Sequence, residues 1–299
     1  MDTFLLQLLL NGLIVGTLYG VVAMSFVLIY KASQIVNFAQ GEFLLIGAWM
    51  CWWIIVDMQL PFWLAFPITL MFMMAFGVAL QVIVLRPMIG EPIISVIMVT
   101  IGLSIFFQAL LKWMFGVSPQ GYPQIFESQS LDIMGLQVRS IYILAVIVSL
   151  FIMAAFALFF KYSKMGLAMR ATAFDQQAAQ SLGVSIKAVF ATAWAISAMV
   201  SAVAGIVVGV VNGVSSDLSF FGIKVFPAVI LGGLDSVLGA VIGGLIVGLL
   251  EGLSQFVEVR FLAQFGLTNL IEVAPFYALI IILMIKPYGL FGTRDIERV

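Results

Sequence analysis

The sequence predicts an all-α fold, a polytopic transmembrane helical bundle. Of 299 residues, 64% are hydrophobic and only 9% are charged, and the mean hydropathy is +1.21. Soluble domains carry about one quarter charged and about one half apolar residues, so this composition excludes a soluble protein. Apolar runs reach the roughly 20 residues that a helix needs to cross a bilayer. We therefore expect one membrane domain over residues 1–299, with about eight or nine spans, some broken or re-entrant.

Each apolar run is bounded by polar residues or by proline and glycine, and each is expected to be helical because lipid cannot satisfy backbone groups. The runs lie at about 4–30, 42–56, 61–85, 93–115, 141–160, 188–211, 224–256 and 269–285. Within 224–256 the sequence LGGLDS at 231–236 is a candidate break between two shorter arms. The two long connections are 116–140 and 161–187.

The distribution of basic residues predicts an orientation. With 161–187 in the cytoplasm, nine basic residues face inward and four outward, which fits the positive-inside rule. Segment 116–140 is then an external loop. The inward set is Lys31, Arg86, Lys161, Lys164, Arg170, Lys187, Lys286, Arg294 and Arg298, and the outward set is Lys112, Arg139, Lys224 and Arg260.

Glycines recur at every fourth residue near both ends of the chain, and this spacing lets helix backbones touch. Two readings stay open: packing within one subunit, or an interface between subunits. The helix-packing candidates are Gly12, Gly16, Gly20, Gly244, Gly248 and Gly252, with Gly205 and Gly209 as a further pair.

Segment 161–187 is the most polar part of the chain. Thr172 and Asp175 have the spacing of a capping box, and Gly183 is a natural helix stop. Residues 173–182 predict a helix of about 15 Å, which is too short to span a membrane. It either docks into a groove on another protein or forms a solvated or interfacial segment. Its apolar face is Phe174, Ala178 and Leu182, with Gln176, Gln177 and Gln180 directed elsewhere.

Polar side chains at the start of the second apolar run are candidates for a translocation path, because burial in lipid penalises them. Asn37, Gln40 and Glu42 belong to this group, and Gly41 would permit a helix break of the kind that marks transporter sites. The alternative is structural: Asn37 caps the span and Glu42 stabilises its positive end.

Further polar positions lie within the spans. Thr100, Ser104 and Gln108 recur at i, i+4 and i+8 and form one stripe, which either lines a path or bonds to a neighbouring helix. Glu251 and Glu272 lie in apolar runs and are functional candidates by position. Glu251, however, is surrounded by closely spaced glycines.

Nothing in the sequence indicates an enzyme. Histidine is absent, so there is no serine–histidine pair and no imidazole metal ligand. The phosphate-binding pattern G-x-x-x-x-G-K-[ST] is also absent, so the chain is not expected to bind ATP in the usual way. We expect no catalytic residue, metal or cofactor in this chain.

Several motifs resemble known transporters. QAAQSLG, residues 177–183, is similar to the EAA loop of bacterial ABC importer permeases, with glutamine in place of glutamate. Collinear segments resemble the LIV-type branched-chain amino acid permease family, in which histidine is common where this chain has Gln40. They are VNFAQGEFLLIGAW (36–49), LRPMIGEP (85–92), TIGLSIFFQ (100–108), MGLAMRATAFDQQAA (165–179), GIKVFPAVILGGLDSVLGAVIGGL (222–245) and KPYGLFG (286–292).

The resemblance implies a permease subunit of an ABC importer for branched-chain or hydrophobic amino acids in the bacterial inner membrane. It implies a second related permease, two ATPase subunits that bind ATP and Mg, and an external substrate-binding protein. Alternatives are urea, short-chain amides or other small solutes, a stand-alone ion-coupled carrier, and a non-transporting scaffold. The residues expected to couple to the ATPase are Arg170, Phe174, Asp175, Gln177, Ala178, Ala179, Leu182 and Gly183.

Overall fold

The structure is a computed structural model that describes residues 3–123, 125, 129–133 and 135–292. Arg294 and Arg298, two of the predicted inward-facing residues, lie outside this described part, as does part of the 116–140 connection. In chain order the elements are α1 (Thr3–Ser33), α2 (Gln40–Val56), α3 (Phe62–Leu80), α4 (Ile93–Phe115), β1 (Ser130–Ile133), β2 (Leu136–Arg139), α5 (Ser140–Tyr162), α6 (Lys164–Phe174), α7 (Gln176–Ser181), α8 (Ile186–Asn212), α9 (Leu218–Gly232), α10 (Val237–Val257) and α11 (Leu270–Ile285).

The predicted helical membrane fold is confirmed. Within the described residues, six helices are long and apolar enough to cross a membrane: α1, α3, α4, α5, α8 and α10. Three more apolar helices are shorter, namely α2, α9 and α11. Helices α3 and α10 each continue through a π-helical turn, at Gln81–Leu85 and Glu258–Leu262, followed by a short 3-10 turn.

The 116–140 connection contains a small hairpin that the sequence did not predict. Strands β1 and β2 pair antiparallel, with Ser130 opposite Arg139 and Ile133 opposite Leu136. The turn is closed by Asp132, whose Oδ1 accepts a hydrogen bond from the Gly135 N–H at 2.8 Å.

The chain divides into two compact units. Unit 1 comprises the described parts of 1–27, 126–151 and 224–299, and unit 2 comprises those of 28–125 and 152–223. Helices α1, α5 and α9 each contribute residues to both units.

In unit 1, the two glycine series pack against each other. A Cβ at Gly248 would overlap backbone atoms of Gly12 and Gly16, and a Cβ at Gly244 would overlap Gly20. A Cβ at Gly252 would meet the carbonyl of Leu8. The close packing predicted from the spacing is therefore present within this chain, between α1 and α10.

The predicted break at 231–236 is also present in unit 1. Helix α9 ends at Gly232, Gly233 adopts a φ of +106°, and α10 begins after Ser236. The Ser236 hydroxyl caps α10 by accepting from the Gly239 N–H at 3.0 Å. The KPYGLFG segment folds onto this break, since the Leu290 N–H donates to the Leu231 carbonyl at 2.8 Å.

In unit 2, α8 packs against both α2 and α3. Phe43 of α2 meets Trp194 of α8 edge-to-face, with ring centroids 6.0 Å apart. The backbones approach closely at Gly205, where a Cβ would overlap the Leu44 carbonyl. The start of the 116–140 connection is fixed to this core, because the Tyr122 hydroxyl donates to the Ala48 carbonyl at 2.7 Å.

Candidate functional site

The polar segment 161–187 forms two helices, α6 and α7, that meet at Asp175. The prediction of a single helix capped by Thr172 is wrong. Thr172 lies buried inside α6, and its hydroxyl donates to the Ala168 carbonyl at 2.9 Å. Asp175 instead has an extended backbone (φ −155°, ψ 112°) and ends α6. Its short side chain offers the backbone an alternative to the helical hydrogen bond, which is why aspartate favours such positions.

Asp175 is the N-cap of α7. Its Oδ1 accepts from the N–H groups of Gln177 at 2.8 Å and Ala178 at 2.9 Å. The C-terminal stop predicted at Gly183 is confirmed, with a φ of +87° that glycine adopts without strain. This short helix is therefore fixed at both ends by local backbone chemistry.

The apolar side chains of this segment are exposed rather than packed. Phe174 is 95% exposed and Leu182 is 85% exposed, although they were predicted to share the face of one helix. They lie instead on either side of α7, at the end of α6 and at the α7 C-cap. Gln177 and Ala178 are exposed between them, whereas Ala179 is buried. The exposed residues form one short surface with an apolar group at each end.

Arg170 faces the end of α5. Its guanidinium donates to the carbonyls of Phe160 and Lys161, and it lies over the Phe160 ring at 5.6 Å. A cation is favourable here because the last carbonyls of a helix carry partial negative charge. Next to it, Ser163 caps α6 by accepting from the Gly166 N–H at 2.8 Å. Arg170 thus positions α6 against α5.

The candidate path residues and their hydrogen-bond partners lie along the contacts between four elements of unit 2, mostly buried, and we call this set the polar seam. It joins the start of α2 to α4, α8 and the first residues of α9. Its members are Asn37, Gln40, Glu42, Thr100, Ser104, Gln108, Ser197, Ser201 and Ser219.

Gln40 is the centre of one half of the polar seam. Its Nε2 donates to the hydroxyls of Ser201 at 2.6 Å and Ser197 at 3.0 Å, and its Oε1 accepts from Asn37 at 3.0 Å. Asn37 does not cap α2 directly, since the N-cap is Ala39, whose N–H donates to Asn37 Oδ1 at 3.1 Å. Sequence reasoning missed the two serines, although their i, i+4 spacing in α8 indicates a shared face.

The stripe on α4 forms the other half. Ser104 donates to Glu42 Oε1 at 3.1 Å, and Gln108 donates to the Ser219 hydroxyl at 2.9 Å. Thr100 Oγ1 accepts from the backbone N–H of Phe38 at 3.3 Å. The stripe therefore bonds to neighbouring elements, which is the structural alternative stated for it. Within the described residues, the second carboxylate oxygen of Glu42 is buried without a hydrogen-bond partner.

Gly41 does not break α2, contrary to the prediction. It lies in the first turn of the helix, where a Cβ would overlap the Ser219 carbonyl and approach Gly222. Its lack of a side chain lets α2 and α9 touch. A role in solute passage stays a prediction for Asn37, Gln40, Glu42 and the α4 stripe.

Comparison with known proteins identifies a family that matches nearly the whole chain. The family described as the permease component of the branched-chain amino acid transport system matches residues 8–285. The chain is 30% identical to the high-affinity branched-chain amino acid transport system permease protein LivH of Salmonella typhimurium, over 99% of this chain and 98% of the relative. It has the same identity and coverage against LivH of Escherichia coli strain K12.

Two more similarities extend this result. BraD of Pseudomonas aeruginosa, also named as a high-affinity branched-chain amino acid transport system permease protein, is 30% identical over 98% of both chains. A solved chain of PsaBC from Streptococcus pneumoniae, in complex with a Fab, superimposes with a TM-score of 0.50 at 14% identity. That alignment covers 95% of this chain and 94% of the solved one, and at this identity it shows a shared fold alone.

Proposed function

The chain belongs to the family of branched-chain amino acid permease components and is a multi-pass membrane protein. From this premise we propose that it is a subunit of an ATP-driven importer. The importer carries branched-chain or other hydrophobic amino acids across the bacterial inner membrane. This chain provides the path, and hydrolysis takes place on separate subunits.

The observation that carries the proposal is the surface formed by α6 and α7. Phe174 and Leu182 leave two large apolar side chains almost fully exposed beside Gln177 and Ala178. Exposed apolar groups next to polar ones are typical of a surface that another protein covers. A short helix presented in this way suits a groove in a partner. We assign that groove to the ATPase subunit.

The remaining partners follow from this division of labour. A substrate-binding protein delivers solute to the external side, and a second related permease completes the path. Two ATPase subunits bind ATP and Mg. When they bind nucleotide they close against each other, and this closure moves α6 and α7. To reverse a two-state equilibrium almost completely, nucleotide must favour one access state by about 5 kcal/mol.

The test is uptake of labelled L-leucine by proteoliposomes that contain the assembled importer and its binding protein. We expect ATP-dependent uptake by the native complex, and a loss of about tenfold or more in the double variant Phe174→Ala/Leu182→Ala, because interface anchors typically cost more than 1 kcal/mol each. The matched control is Phe151→Ala, which removes an equally large side chain that is 73% exposed on α5.

Normal uptake by the double variant, at a normal level of assembled permease, would contradict the coupling role. Leucine uptake by this chain alone, without ATP or partners, would establish a stand-alone carrier instead. ATP-driven uptake of urea or short amides, with no uptake of leucine, would support the importer but contradict the proposal that it carries amino acids.

A further inference from the structure

Unit 1 contains a group of charged and hydrogen-bonded side chains that we call the ionic cluster. It consists of Tyr19 on α1, Lys224 on α9, Glu251 on α10 and Glu272 on α11. Lys224 Nζ donates to Glu272 Oε1 at 2.8 Å and lies 3.6 Å from Glu251 Oε1. The Tyr19 hydroxyl lies 2.9 and 3.1 Å from the two Glu251 oxygens. Four helices therefore contribute one side chain each.

The position of Glu251 makes its charge costly. Glu251 is as far from Val237 as from Phe265 along the continuous span that α10 begins, so it lies midway along that span. It is only 6% exposed. Ionisable groups at such positions are expensive and are usually retained for function. Holding four helices together does not need charges, since apolar side chains of similar size stabilise packing at least as well.

The charges of the cluster are not balanced. One ammonium group faces two carboxylates, and no other basic residue of the described ranges lies within 4.0 Å of either carboxylate. Excess negative charge in apolar surroundings attracts a cationic group. The cluster is therefore suited to a ligand that carries an ammonium group.

The two carboxylates differ in accessibility. The Glu251 side chain is 8% exposed, and Tyr19 holds both of its oxygens, so it is a fixed counter-ion for Lys224. The Glu272 side chain is 56% exposed, while that of Lys224 is 19% exposed. Lys224 can thus release Glu272 to a ligand and keep Glu251. The Glu272 carboxylate and the Lys224 ammonium group, which stays beside Glu251, would then lie side by side at the surface of unit 1.

We propose that the ionic cluster binds the zwitterionic head group of the transported amino acid. Glu272 accepts the ligand ammonium group, and Lys224, with Glu251 as its remaining counter-ion, receives the ligand carboxylate. Tyr19 is a positioning residue that keeps Glu251 in place. The inference rests on the proposed function and deepens it, because it locates recognition of the charged part of the solute in this chain.

The experiment measures binding of three compounds to the purified, assembled importer without its binding protein. L-leucine carries both charges, 3-methylbutylamine lacks the carboxylate, and 4-methylpentanoate lacks the ammonium group. In Glu272→Gln we expect binding of leucine and of the amine to weaken about tenfold or more, because one partner of a charge pair is removed. Binding of 4-methylpentanoate should not weaken. Glu272→Asp, which keeps the charge, should recover part of the loss.

Lys224 is tested in the double variant Lys224→Met/Glu251→Gln, which avoids leaving a buried unpaired acid. This variant should weaken the binding of leucine and of 4-methylpentanoate but not that of 3-methylbutylamine. The structural control is Glu258→Gln. Glu258 accepts from the N–H groups of Asn269 at 3.1 Å and Leu270 at 2.7 Å at the start of α11, but it does not belong to the cluster. Its variant should reduce stability without discriminating among the three compounds.

The outcomes separate the two proposals. If native importer transports leucine and Glu272→Gln binds it equally well, the function stands and the inference is wrong. If Glu272→Gln weakens the binding of all three compounds alike, the cluster is structural and the inference is also wrong. If the native importer transports no leucine and instead carries a solute without an ammonium group, the proposed solute class is rejected and the inference falls with it.

Discussion

A missing Cβ decides how closely α1 and α10 approach each other. At Gly248 the place of a side chain is taken by backbone atoms of Gly12 and Gly16. Helices in lipid associate through such close contacts because the hydrophobic effect does not act between them. Not every glycine has this role: Gly102, in α4, has no atom within 4 Å of the position a Cβ would occupy.

This difference predicts the effect of two matched substitutions. Gly248→Ala should destabilise the protein by about 1–3 kcal/mol, because a methyl group forced into packed backbone moves both helices. Gly102→Ala should be neutral or stabilising by up to about 1 kcal/mol, because alanine favours a helix over glycine. Thermal unfolding in detergent compares the two variants directly. Equal shifts of the midpoint would show that the contact between α1 and α10 does not limit stability.

At the scale of elements, α7 depends on its ends. It is six residues long, far shorter than a helix that is stable by propensity alone. Among its residues Ala179 is buried, and the Asp175 side chain supplies the first hydrogen bonds. The shape of the surface between Phe174 and Leu182 therefore depends on one carboxylate.

We predict that Asp175→Ala loosens α7 while Asp175→Asn does not, because asparagine caps helices as well as aspartate does. Loss of the cap costs about 1 kcal/mol, which corresponds to roughly fivefold faster amide exchange in a locally opening helix. Hydrogen exchange with mass spectrometry of the 175–183 peptide reads this out, and peptides from α8 serve as the internal reference. Unchanged exchange in Asp175→Ala would mean that packing of Ala179 alone holds the helix.

At the scale of the whole molecule, the sole cysteine makes topology measurable. Cys51 is fully buried in a cluster with Ile54, Ala65 and Ile206. A thiol in that position is shielded from aqueous reagents. The native chain therefore supplies an unreactive background, and no cysteine needs to be removed.

Single introduced cysteines should then report the predicted orientation. Both Leu182 and Ser118 are exposed, so Leu182→Cys and Ser118→Cys provide thiols at the α7 C-cap and beyond the end of α4. A membrane-impermeant maleimide should label Ser118→Cys in intact spheroplasts and Leu182→Cys only in inverted vesicles from cells without the ATPase subunits, which would otherwise cover Leu182. Native protein, labelled after unfolding only, is the control. Labelling of both positions from one side would overturn the orientation assigned from the basic residues.

Local patterns were predicted well because their causes are local. Glycine at every fourth residue indicated the packing of α1 on α10, and Gly183 indicated a helix stop. The break at 231–236 followed from two consecutive glycines and a turn-forming aspartate. Asp175 shows the limit of this reasoning, because one residue suits both a capping box and an N-cap, and backbone geometry decides between them.

Contacts between distant residues could not be predicted. Tyr19 and Glu251 are 232 positions apart, and no periodic pattern connects residues on four different helices. Counting basic residues therefore assigned Lys224 to the outer side, but it did not predict that Lys224 contacts Glu251 and Glu272. The same holds for Gln108 and Ser219, since a stripe on one helix does not reveal which helix it faces.

The corner between α5 and α6 has a mechanical consequence. Gly166 leaves no space between α6 and the carbonyls of Phe159 and Phe160, and Arg170 ties the two helices together. Helix α6, with 11 residues and a length of about 16 Å, is thus held to the end of α5 at this corner. A displacement of 1 Å at Phe174 turns it by only about 4° over such a length. In the coupling that we propose, a larger side chain at Gly166 is expected to alter how α5 responds to movement of α6, while leaving the exposed surface between Phe174 and Leu182 intact.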